Sequence, residues 1–373
     1  MKGQPLHFFS GEIMDTLIGL KLKDWFTLYR QNFFHLPISQ YPNCLKLTIL
    51  SIRNSIYARK EVEQFGHQIE QTAIENPPIF ILGHWRSGTT LLHKLMSLDP
   101  QFAYPNVYEV YNPWTFLITE QLIKDRLEKL SAEKRPMDNV VISYKDPAED
   151  EFALSLMSLK SPLIGWAFPL QEFYFDRYLT MHQITEEERQ EWKYYFIYFL
   201  KKLTLLHNKQ LVLKSPHHTA RVKTLTEVFP DAKFVHIIRD PYRTFQSTLN
   251  LYRNTVAKLS MQKRDENKDV EAIIHRYKIM YDFYLEERRL IKPGNLIEIR
   301  FEDLEKDFLN GVAEIYEQLK LEGWDQFEPI LKKYLESQSS YRKNVYPELE
   351  DSLKQKINSA WRKTFEEWGY NFK

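Results

Sequence analysis

The chain is poor in several features that mark common classes of protein. Its single cysteine, Cys44, excludes an intrachain disulfide. Its 51 basic and 50 acidic residues leave a net charge of +1, which gives no general positive field for a polynucleotide. No uncharged apolar run is long enough to span a bilayer, and Glu12 and Asp15 precede any long apolar run, unlike in a signal peptide. We therefore expect a cytoplasmic protein that does not bind nucleic acid.

What the chain does contain is the octapeptide GHWRSGTT, from Gly83 to Thr90. It follows the apolar run Ile79 to Leu82 and precedes a helical pattern, so it lies at a strand-to-helix turn. Its two glycines have the spacing of a phosphate-binding loop, in which backbone N–H groups converge on an anion at a helix N-terminus. Thr89 stands where a nucleotide hydrolase has its lysine, while Arg86 offers a guanidinium within the loop. We predict a phosphate site that is not built for a triphosphate.

A second motif, FVHIIRDPYRTFQS, lies about 150 residues further along, so one domain must bring the two motifs together. Phe234 to Ile238 reads as a buried strand, and a helical pattern follows Pro241. Arg239 is therefore placed at a strand end, where its guanidinium can grip a second phosphate with two hydrogen bonds. Ser247 adds a hydroxyl about two helical turns along the following helix.

These motifs resemble those of the PAPS-dependent sulfotransferases. GHWRSGTTLLHKL looks like their 5′-phosphosulfate loop, and Arg239 with Ser247 looks like their 3′-phosphate site. LVLKSPHHTARVKTLTEVFPDAKFVHIIRDP and IEIRFEDLEKD resemble further strands and turns, so the likeness covers roughly residues 77 to 320. It is closest to the branch of bacterial and tyrosylprotein sulfotransferases. The resemblance implies PAPS, 3′-phosphoadenylyl sulfate, as co-substrate, no obligatory metal, and in-line transfer of a sulfonyl group to an acceptor hydroxyl.

The resemblance also implies which residues bind the donor. They are Arg86, Ser87, Gly88, Thr89, Thr90, Arg239, Ser247, Arg342 and Lys343. Arg342 and Lys343 are explained equally well as a solvated surface pair. Lys214 ends the strand LVLK, and its ammonium is expected at the carboxyl edge of the sheet, where ligands bind. We predict that Lys214 stabilises or protonates the bridging oxygen of the leaving group and that Arg86 neutralises developing charge.

The general base is open at this point. Glu109 lies 23 residues after Arg86, a position similar to that of the catalytic glutamate in the tyrosylprotein branch. Aromatic neighbours would raise the pKa of its carboxyl and suit it to accept the hydroxyl proton. The alternatives are two histidines that follow Lys214 and an acidic run before a helical pattern: His217, His218, Glu149, Asp150 and Glu151.

The pattern of apolar residues predicts an α/β fold, with a phosphate-loop type of parallel sheet flanked by helices. We expect a helical N-terminal extension packed on the core, a catalytic domain, a helical acceptor-site or lid insertion within it, and a helical C-terminal region. The predicted segments are 1–75 for the extension, 76–373 for the catalytic domain and 104–207 for the insertion, with strands at 79–82, 211–214, 233–238 and 296–300.

The N-terminal extension combines aromatic residues at helical spacing with a basic bias. Packing on the core explains the apolar face, while peripheral contact with an anionic membrane would explain both features and would suit a lipid acceptor. The acceptor is otherwise open to any small molecule or lipid with a hydroxyl. Two other functions compete with sulfonyl transfer: a phosphate-loop small-molecule kinase and a non-catalytic nucleotide-binding scaffold. The kinase is disfavoured by the missing lysine.

Overall fold

The computed structural model describes residues 16–127, 133–134, 141–337 and 347–373. The strands among these residues are β1 (Ile79–Leu82), β2 (Phe102–Ala103), β3 (Glu133–Lys134), β4 (Val141–Ile142), β5 (Gln210–Lys214), β6 (Lys233–Ile238) and β7 (Leu296–Arg300). Five of them form one parallel sheet in the order β2-β5-β1-β6-β7, and β3 and β4 form a separate antiparallel pair.

Helices surround the sheet. The α-helices are α1 (Leu22–Asn32), α2 (Tyr41–Gln71), α3 (Thr89–Met96), α4 (Val107–Tyr111), α5 (Phe116–Leu127), α6 (Asp150–Ser158), α7 (Pro162–Ala167), α8 (Glu172–Thr180), α9 (Glu186–His207), α10 (Val222–Val228), α11 (Pro241–Leu251), α12 (Ala257–Leu259), α13 (Asp269–Glu287), α14 (Phe301–Leu304), α15 (Phe308–Gln318), α16 (Trp324–Ser337), α17 (Asp351–Ala360) and α18 (Arg362–Trp368). None of the helices in the described ranges is both long and apolar enough to cross a membrane.

The central strand β1 is buried on both faces, as parallel strands covered by helices are. Its side chains alternate between two hydrophobic clusters, Phe80 and Leu82 facing the larger and Ile79 and Ile81 the smaller. The smaller cluster also takes residues from α3, α15 and α16. Because successive side chains point to opposite faces of a strand, this four-residue run contributes to both layers.

The α/β fold with a parallel sheet, predicted from the sequence, is confirmed. Strands β1, β6 and β7 have the predicted bounds, and β5 begins one residue earlier, at Gln210. Strand β2 was not predicted. It consists of two residues that pair with β5, opposite Gln210 and Leu211, and a segment so short carries no periodic signal of its own.

The N-terminal helices contact the rest of the fold through buried polar groups. Asn54 on α2 donates to the carbonyl of Ile18 at 2.6 Å, which fixes the chain that leads into α1. Glu61, also on α2, forms an ion pair with Lys202 of α9, and both side chains are buried. Lys202 donates in addition to the carbonyl of Pro113, at 2.5 Å. One buried lysine thus joins α2, α9 and the segment before α5.

We expect the Gly88→Ala variant to lose stability. Gly88 has φ of 107°, and an added Cβ would lie 2.3 Å from the Phe301 ring, so strain and a clash combine. The free energy of unfolding should fall by ~2 kcal/mol or more, measured by urea unfolding. Gly66 on α2 is the matched control, because its added Cβ meets only Val62 at 3.4 Å. Gly66→Ala should leave stability unchanged or raise it by about 0.5–1 kcal/mol, and equal losses at the two sites would show that the Phe301 contact and the positive φ are not the cause.

We expect Lys202→Met to destabilise the protein by about 3–5 kcal/mol, because it leaves the Glu61 carboxylate buried without its cation. Burial already raises the pKa of Glu61, so without Lys202 the carboxyl should be uncharged at low pH. The loss in free energy of unfolding relative to wild type should therefore shrink as pH falls and grow as pH rises, as measured by unfolding at several pH values. The double variant Glu61→Gln/Lys202→Met should recover at least half of the loss. A deficit independent of pH and of Glu61 would show that the ion pair is not its source.

Candidate active site

The loop after β1 has a backbone that only certain residues can adopt. Gly83 and Gly88 have positive φ, 143° and 107°, and Arg86 between them has φ of 69°. A Cβ at Gly83 would lie 2.7 Å from the carbonyl oxygen of Ile237 on β6, so the loop runs close against the neighbouring strand. Helix α3 begins directly after Gly88, at Thr89. The first N–H groups of a helix have no partner within it, and in α3 these groups follow the loop directly.

Residues from distant parts of the chain hold this loop. The N–H of Gly83 donates to the hydroxyl of Thr219 at 2.8 Å, and the N–H of His84 donates to the hydroxyl of Tyr281 at 3.3 Å. Within the loop, Ser87 donates from its hydroxyl to the carbonyl of His84 at 2.8 Å. Sequence reasoning did not single out Thr219, which lies within the segment LVLKSPHHTARVK, or Tyr281, which lies in no motif, because neither is near the loop in sequence.

The two phosphate motifs of the sequence meet in space. Arg86 Nε donates to Ser247 Oγ at 2.9 Å, which joins the loop after β1 to α11. Arg239 Nη1 donates to the carbonyl oxygen of Arg86 at 2.9 Å, and the Arg239 guanidinium lies 4.4 Å from the centre of the Phe301 ring. The residues predicted to bind both ends of the donor therefore adjoin one another. The remaining predicted pair, Arg342 and Lys343, lies outside the described residues.

Lys214 is placed at the carboxyl end of β5, as predicted. Its Nζ lies 2.6 Å from Glu149 Oε1 and 3.4 Å from Thr90 Oγ1, in the first turn of α3. Its side chain is only 3% exposed, while that of Glu149 is 18% exposed. An ammonium and a carboxylate thus stand together beside the loop, with the carboxylate on the more open side.

The three acidic residues at the start of α6, Glu149, Asp150 and Glu151, contact three different partners. Asp150 Oδ2 lies 2.6 Å from His218 Nε2, and both side chains are fully buried. Glu151 is fully buried as well and forms two hydrogen bonds with the guanidinium of Arg221, at 2.6 and 2.9 Å. Of the three acidic residues, only Glu149 contacts Lys214. Asp150, Glu151 and His218 are therefore engaged in buried pairs that hold α6 against the core.

Glu109 is fully buried and caps its own helix. Its Oε2 accepts from the N–H of Asn106 at 2.7 Å, and its N–H donates back to the Asn106 side chain at 3.0 Å. Its Oε1 lies 2.8 Å from His207 Nε2. Both carboxylate oxygens thus have partners from the surrounding fold, as expected of an acidic residue that closes a helix N-terminus.

His217 is also fully buried, and burial holds its pKa well below the usual range, with the Arg221 charge adding to the shift. Its Nδ1 lies 3.1 Å from Ser215 Oγ, and its ring meets that of Trp85 edge-on, with centroids 4.8 Å apart. Trp85 in turn lies 6.2 Å from Trp166 of α7. The loop is therefore lined on one side by aromatic rings. Across the described residues, no three His, Cys, Asp or Glu side chains form a group that could hold a metal ion.

Comparison with known proteins shows the family and the fold of this chain. Residues 77–326 match the family model described as the sulfotransferase family. The omega-hydroxy-beta-dihydromenaquinone-9 sulfotransferase Stf3 of Mycobacterium bovis is 33% identical over 354 residues, covering 95% of this chain and 91% of that protein. Two solved structures share the fold at 19% identity. They are sulfotransferase STF1 from Mycobacterium tuberculosis H37Rv, with a TM-score of 0.64 over 90% of each chain, and STF9 from Mycobacterium avium, with 0.65 over 86% of this chain and 84% of that one.

The resemblance that the motifs suggested is thereby confirmed. The family match spans most of the chain, and the mycobacterial relative is similar over nearly its whole length. The chain belongs to the sulfotransferase family.

Proposed function

We propose that the protein transfers a sulfonyl group from PAPS to the hydroxyl of a lipid or other small acceptor by in-line displacement. The observation that carries this proposal is the meeting of Arg86, Arg239 and Ser247 at one loop, beside a strand-end lysine that contacts a carboxylate. Membership of the family supports sulfonyl transfer in general. The donor, the residues that bind it and the mechanism are our inference from the site.

The loop suits the 5′ end of such a donor. Gly83 and Gly88 leave no room for a side chain, since a Cβ would lie 2.7 Å from Ile237 and 2.3 Å from Phe301, so the loop is fixed against its neighbours. Helix α3 begins directly after Gly88, and a helix N-terminus favours an anion. Hydroxyls and amides at the start of α3 would add hydrogen bonds. We assign this role to Ser87, Gly88, Thr89 and Thr90.

The 3′-phosphate would be held by Arg239 and Ser247. A guanidinium binds a phosphate with two parallel hydrogen bonds, and Arg239 stands at a strand end where such a group can be reached. Arg86 already donates to Ser247, so the residues proposed for the two ends of the donor are coupled by a direct contact. A role for Arg342 and Lys343 at this phosphate stays a prediction.

The same residues would perform the transfer. As the acceptor oxygen bonds to sulfur and the bond from sulfur to the bridging oxygen breaks, Lys214 holds the negative charge that develops on that oxygen. Arg86 and the loop N–H groups neutralise the charge on the non-bridging oxygens. Glu149 accepts the hydroxyl proton, since its carboxylate lies 2.6 Å from Lys214 Nζ and is partly open to solvent. Positioning and fixed charge would thus supply most of the rate.

Contacts favour Glu149 over the other candidates for the base. Glu109 stays a prediction, but both of its oxygens have partners in the fold and its side chain is fully buried. His218 and Glu151 are held in buried ion pairs. His217 is fully buried as well, and its lowered pKa makes its ring a weak base. Glu149 alone combines contact with Lys214 and access for a substrate.

A lipid hydroxyl is our proposal for the acceptor. The relative from Mycobacterium bovis is named for a hydroxylated menaquinone, which is a lipid. The match between the two proteins covers 95% of this chain. We further propose that the enzyme meets such a lipid as a peripheral, cytoplasmic protein at the membrane surface. No contact within the described residues favours the kinase or the scaffold.

We expect titration calorimetry to detect binding of adenosine 3′,5′-bisphosphate, the product that remains after transfer. Arg239→Ala should weaken this binding by about 10- to 100-fold, because a charge-assisted hydrogen bond is worth roughly 1.5–3 kcal/mol. Arg243→Ala, which removes an exposed arginine one turn further along α11, is the matched control and should bind as wild type. Both variants should first be shown to unfold at the wild-type temperature.

ATP with magnesium serves as the comparison ligand. Tight ATP binding that matches or exceeds binding of the bisphosphate would favour the kinase, and binding of neither nucleotide would overturn the proposed donor. Equal binding of the bisphosphate by wild type and Arg239→Ala would remove Arg239 from the proposed site.

We expect Glu149→Gln to lower the rate constant for transfer by about 100- to 10,000-fold if Glu149 is the base. If a carboxylate is the base, the rate of the wild type should fall at low pH, and Glu149→Gln should lose that fall. The loss should be smaller with 4-nitrophenol than with octan-1-ol as acceptor, because an acidic hydroxyl needs less help from a base. Binding of the bisphosphate should be unchanged.

Glu109→Gln is the matched comparison. It should reduce stability, because it disturbs a buried helix cap, while leaving the low-pH fall in rate in place. If Glu109→Gln instead removes the pH dependence and Glu149→Gln does not, Glu109 is the base and our assignment is wrong.

A further inference from the structure

Helix α2 carries an exposed row of large aliphatic side chains. We call Leu45, Ile49, Ile52 and Ile56 the apolar stripe; each is between 44% and 64% exposed. Their spacing of four, three and four residues places them on one face, since an α-helix turns about 100° per residue. Scattered exposed aliphatics are ordinary, but four in line on one helix form a contiguous surface.

The stripe does not result from loose packing of α2. The opposite face of the helix is buried through Leu47, Asn54 and Glu61. Asn54 and Glu61 are satisfied there by the carbonyl of Ile18 and by Lys202. The helix therefore has one face committed to the core, and the stripe lies on the face that the core leaves uncovered.

The exposed apolar surface continues beyond the end of α2. Phe34, in the turn between α1 and α2, is 91% exposed, and its ring contacts that of Phe33 with centroids 5.3 Å apart. We call Phe33 and Phe34 the aromatic tip, and Ile38, which follows them, is 79% exposed. Two hydrogen bonds form a buried bridge from this region to a second exposed apolar group. The N–H of Leu170 donates to the side chain of Gln262, and Gln262 donates to Asn32 at the end of α1. That group consists of Leu170, Phe173 and Tyr174.

All charged residues between residue 25, in α1, and residue 60, in α2, are basic. From residue 25 to residue 60 the sequence has five basic residues and no acidic one, although the whole chain is nearly balanced at +1. Three of the five, Lys46, Arg53 and Lys60, are exposed and lie seven residues apart on α2, which places them in one row along the side of the apolar stripe. We call them the basic row.

We propose that the apolar stripe, the aromatic tip and the basic row form a docking surface for an anionic lipid bilayer. Helix α2 would lie in the plane of the interface, with its aliphatic side chains among the acyl chains and its basic row at the lipid headgroups. The positive charge argues for this occupant over a second copy of the chain, because two copies would bring like charges together. This inference rests on the proposed function, since it states where the enzyme meets a lipid acceptor.

The second exposed apolar group, which the buried bridge joins to the docking surface, is also connected to the phosphate loop. Leu170 and Phe173 follow α7 closely in sequence, and Trp166 of α7 lies 6.2 Å from Trp85 in the loop, centroid to centroid. Helix α7 itself is buried, so it links the exposed apolar group to the loop through packed side chains. We infer that docking brings the acceptor to this part of the fold.

Flotation of the full chain with vesicles tests the proposal. We expect binding to vesicles that contain phosphatidylglycerol, and much weaker binding to vesicles of phosphatidylcholine alone. Ile49→Glu/Ile52→Glu should reduce binding to both. Gln64→Glu/Gln68→Glu adds the same charge on exposed positions of α2 beyond the stripe and should retain most of the binding. Lys46→Gln/Arg53→Gln should reduce binding to the anionic vesicles by about 30-fold, since each basic residue adds ~1 kcal/mol there.

Three results would overturn the proposal. The first is wild-type binding that does not depend on phosphatidylglycerol or on the apolar stripe. The second is a wild-type dimer that Ile49→Glu/Ile52→Glu converts to a monomer in light scattering, which would make the stripe an interface between copies. The third is binding that emerges only when residues 1–15 are removed, which would show that the N-terminal segment covers the stripe.

Activity separates this inference from the proposed function. Ile49→Glu/Ile52→Glu should bind adenosine 3′,5′-bisphosphate and sulfonate soluble octan-1-ol as wild type does, and should lose about tenfold or more only with a long-chain alcohol embedded in anionic vesicles. Loss with both acceptors would assign the stripe to folding or catalysis. If wild type binds the vesicles but not the bisphosphate, the docking surface stands and the proposed donor falls.

Discussion

The phosphate loop depends on hydrogen bonds that come from outside it. Arg86 adopts a positive φ of 69°, a conformation that costs a non-glycine residue about 1–3 kcal/mol. The bond from Arg239 to the Arg86 carbonyl and the bond from Arg86 to Ser247 offset this strain. Both partners follow β6, so the shape of the loop requires β6 to lie beside β1. The order of strands in the sheet is therefore the constraint on which the site rests.

Much of the sheet could be predicted because its inner strands carry their own signal. A strand covered on both faces reads as a continuous apolar run. Strand β1 is such a run, between Pro78 and Gly83, and β6 is one except for Lys233 and His236. Strand β2 lacks this signal, since Phe102 and Ala103 become a strand only through pairing with β5. The sequence of a two-residue segment does not indicate that it will form a strand when the structure depends on pairing with another strand, as β2 depends on β5.

The candidate site divides in the same way. Arg86, Lys214 and Arg239 could be proposed from the sequence because each stands at or just after the end of a strand, where local pattern and chemistry coincide. The choice among carboxylates could not be made from spacing. Glu149 and Glu151 are two residues apart, yet one contacts Lys214 and the other is buried against Arg221, because the turn into α6 sends their side chains in different directions. Only the tertiary contacts distinguish the reactive candidate from the structural one.

The net charge of the whole chain does not reveal how charge is distributed along it. A balance of +1 argues against a general field, but it averages a wholly basic stretch from residue 25 to residue 60 with acidic residues elsewhere in the chain. The phosphate loop and the proposed docking surface also have different requirements. The proposed donor has two phosphate ends and demands a fixed loop, and the hydrogen bonds that join the loop to Arg239, to Ser247 of α11 and to Tyr281 of α13 serve that end. Acceptor choice makes no such demand on the loop. If the proposed docking surface presents the acceptor, acceptor choice is set by the surface from which the hydroxyl arrives.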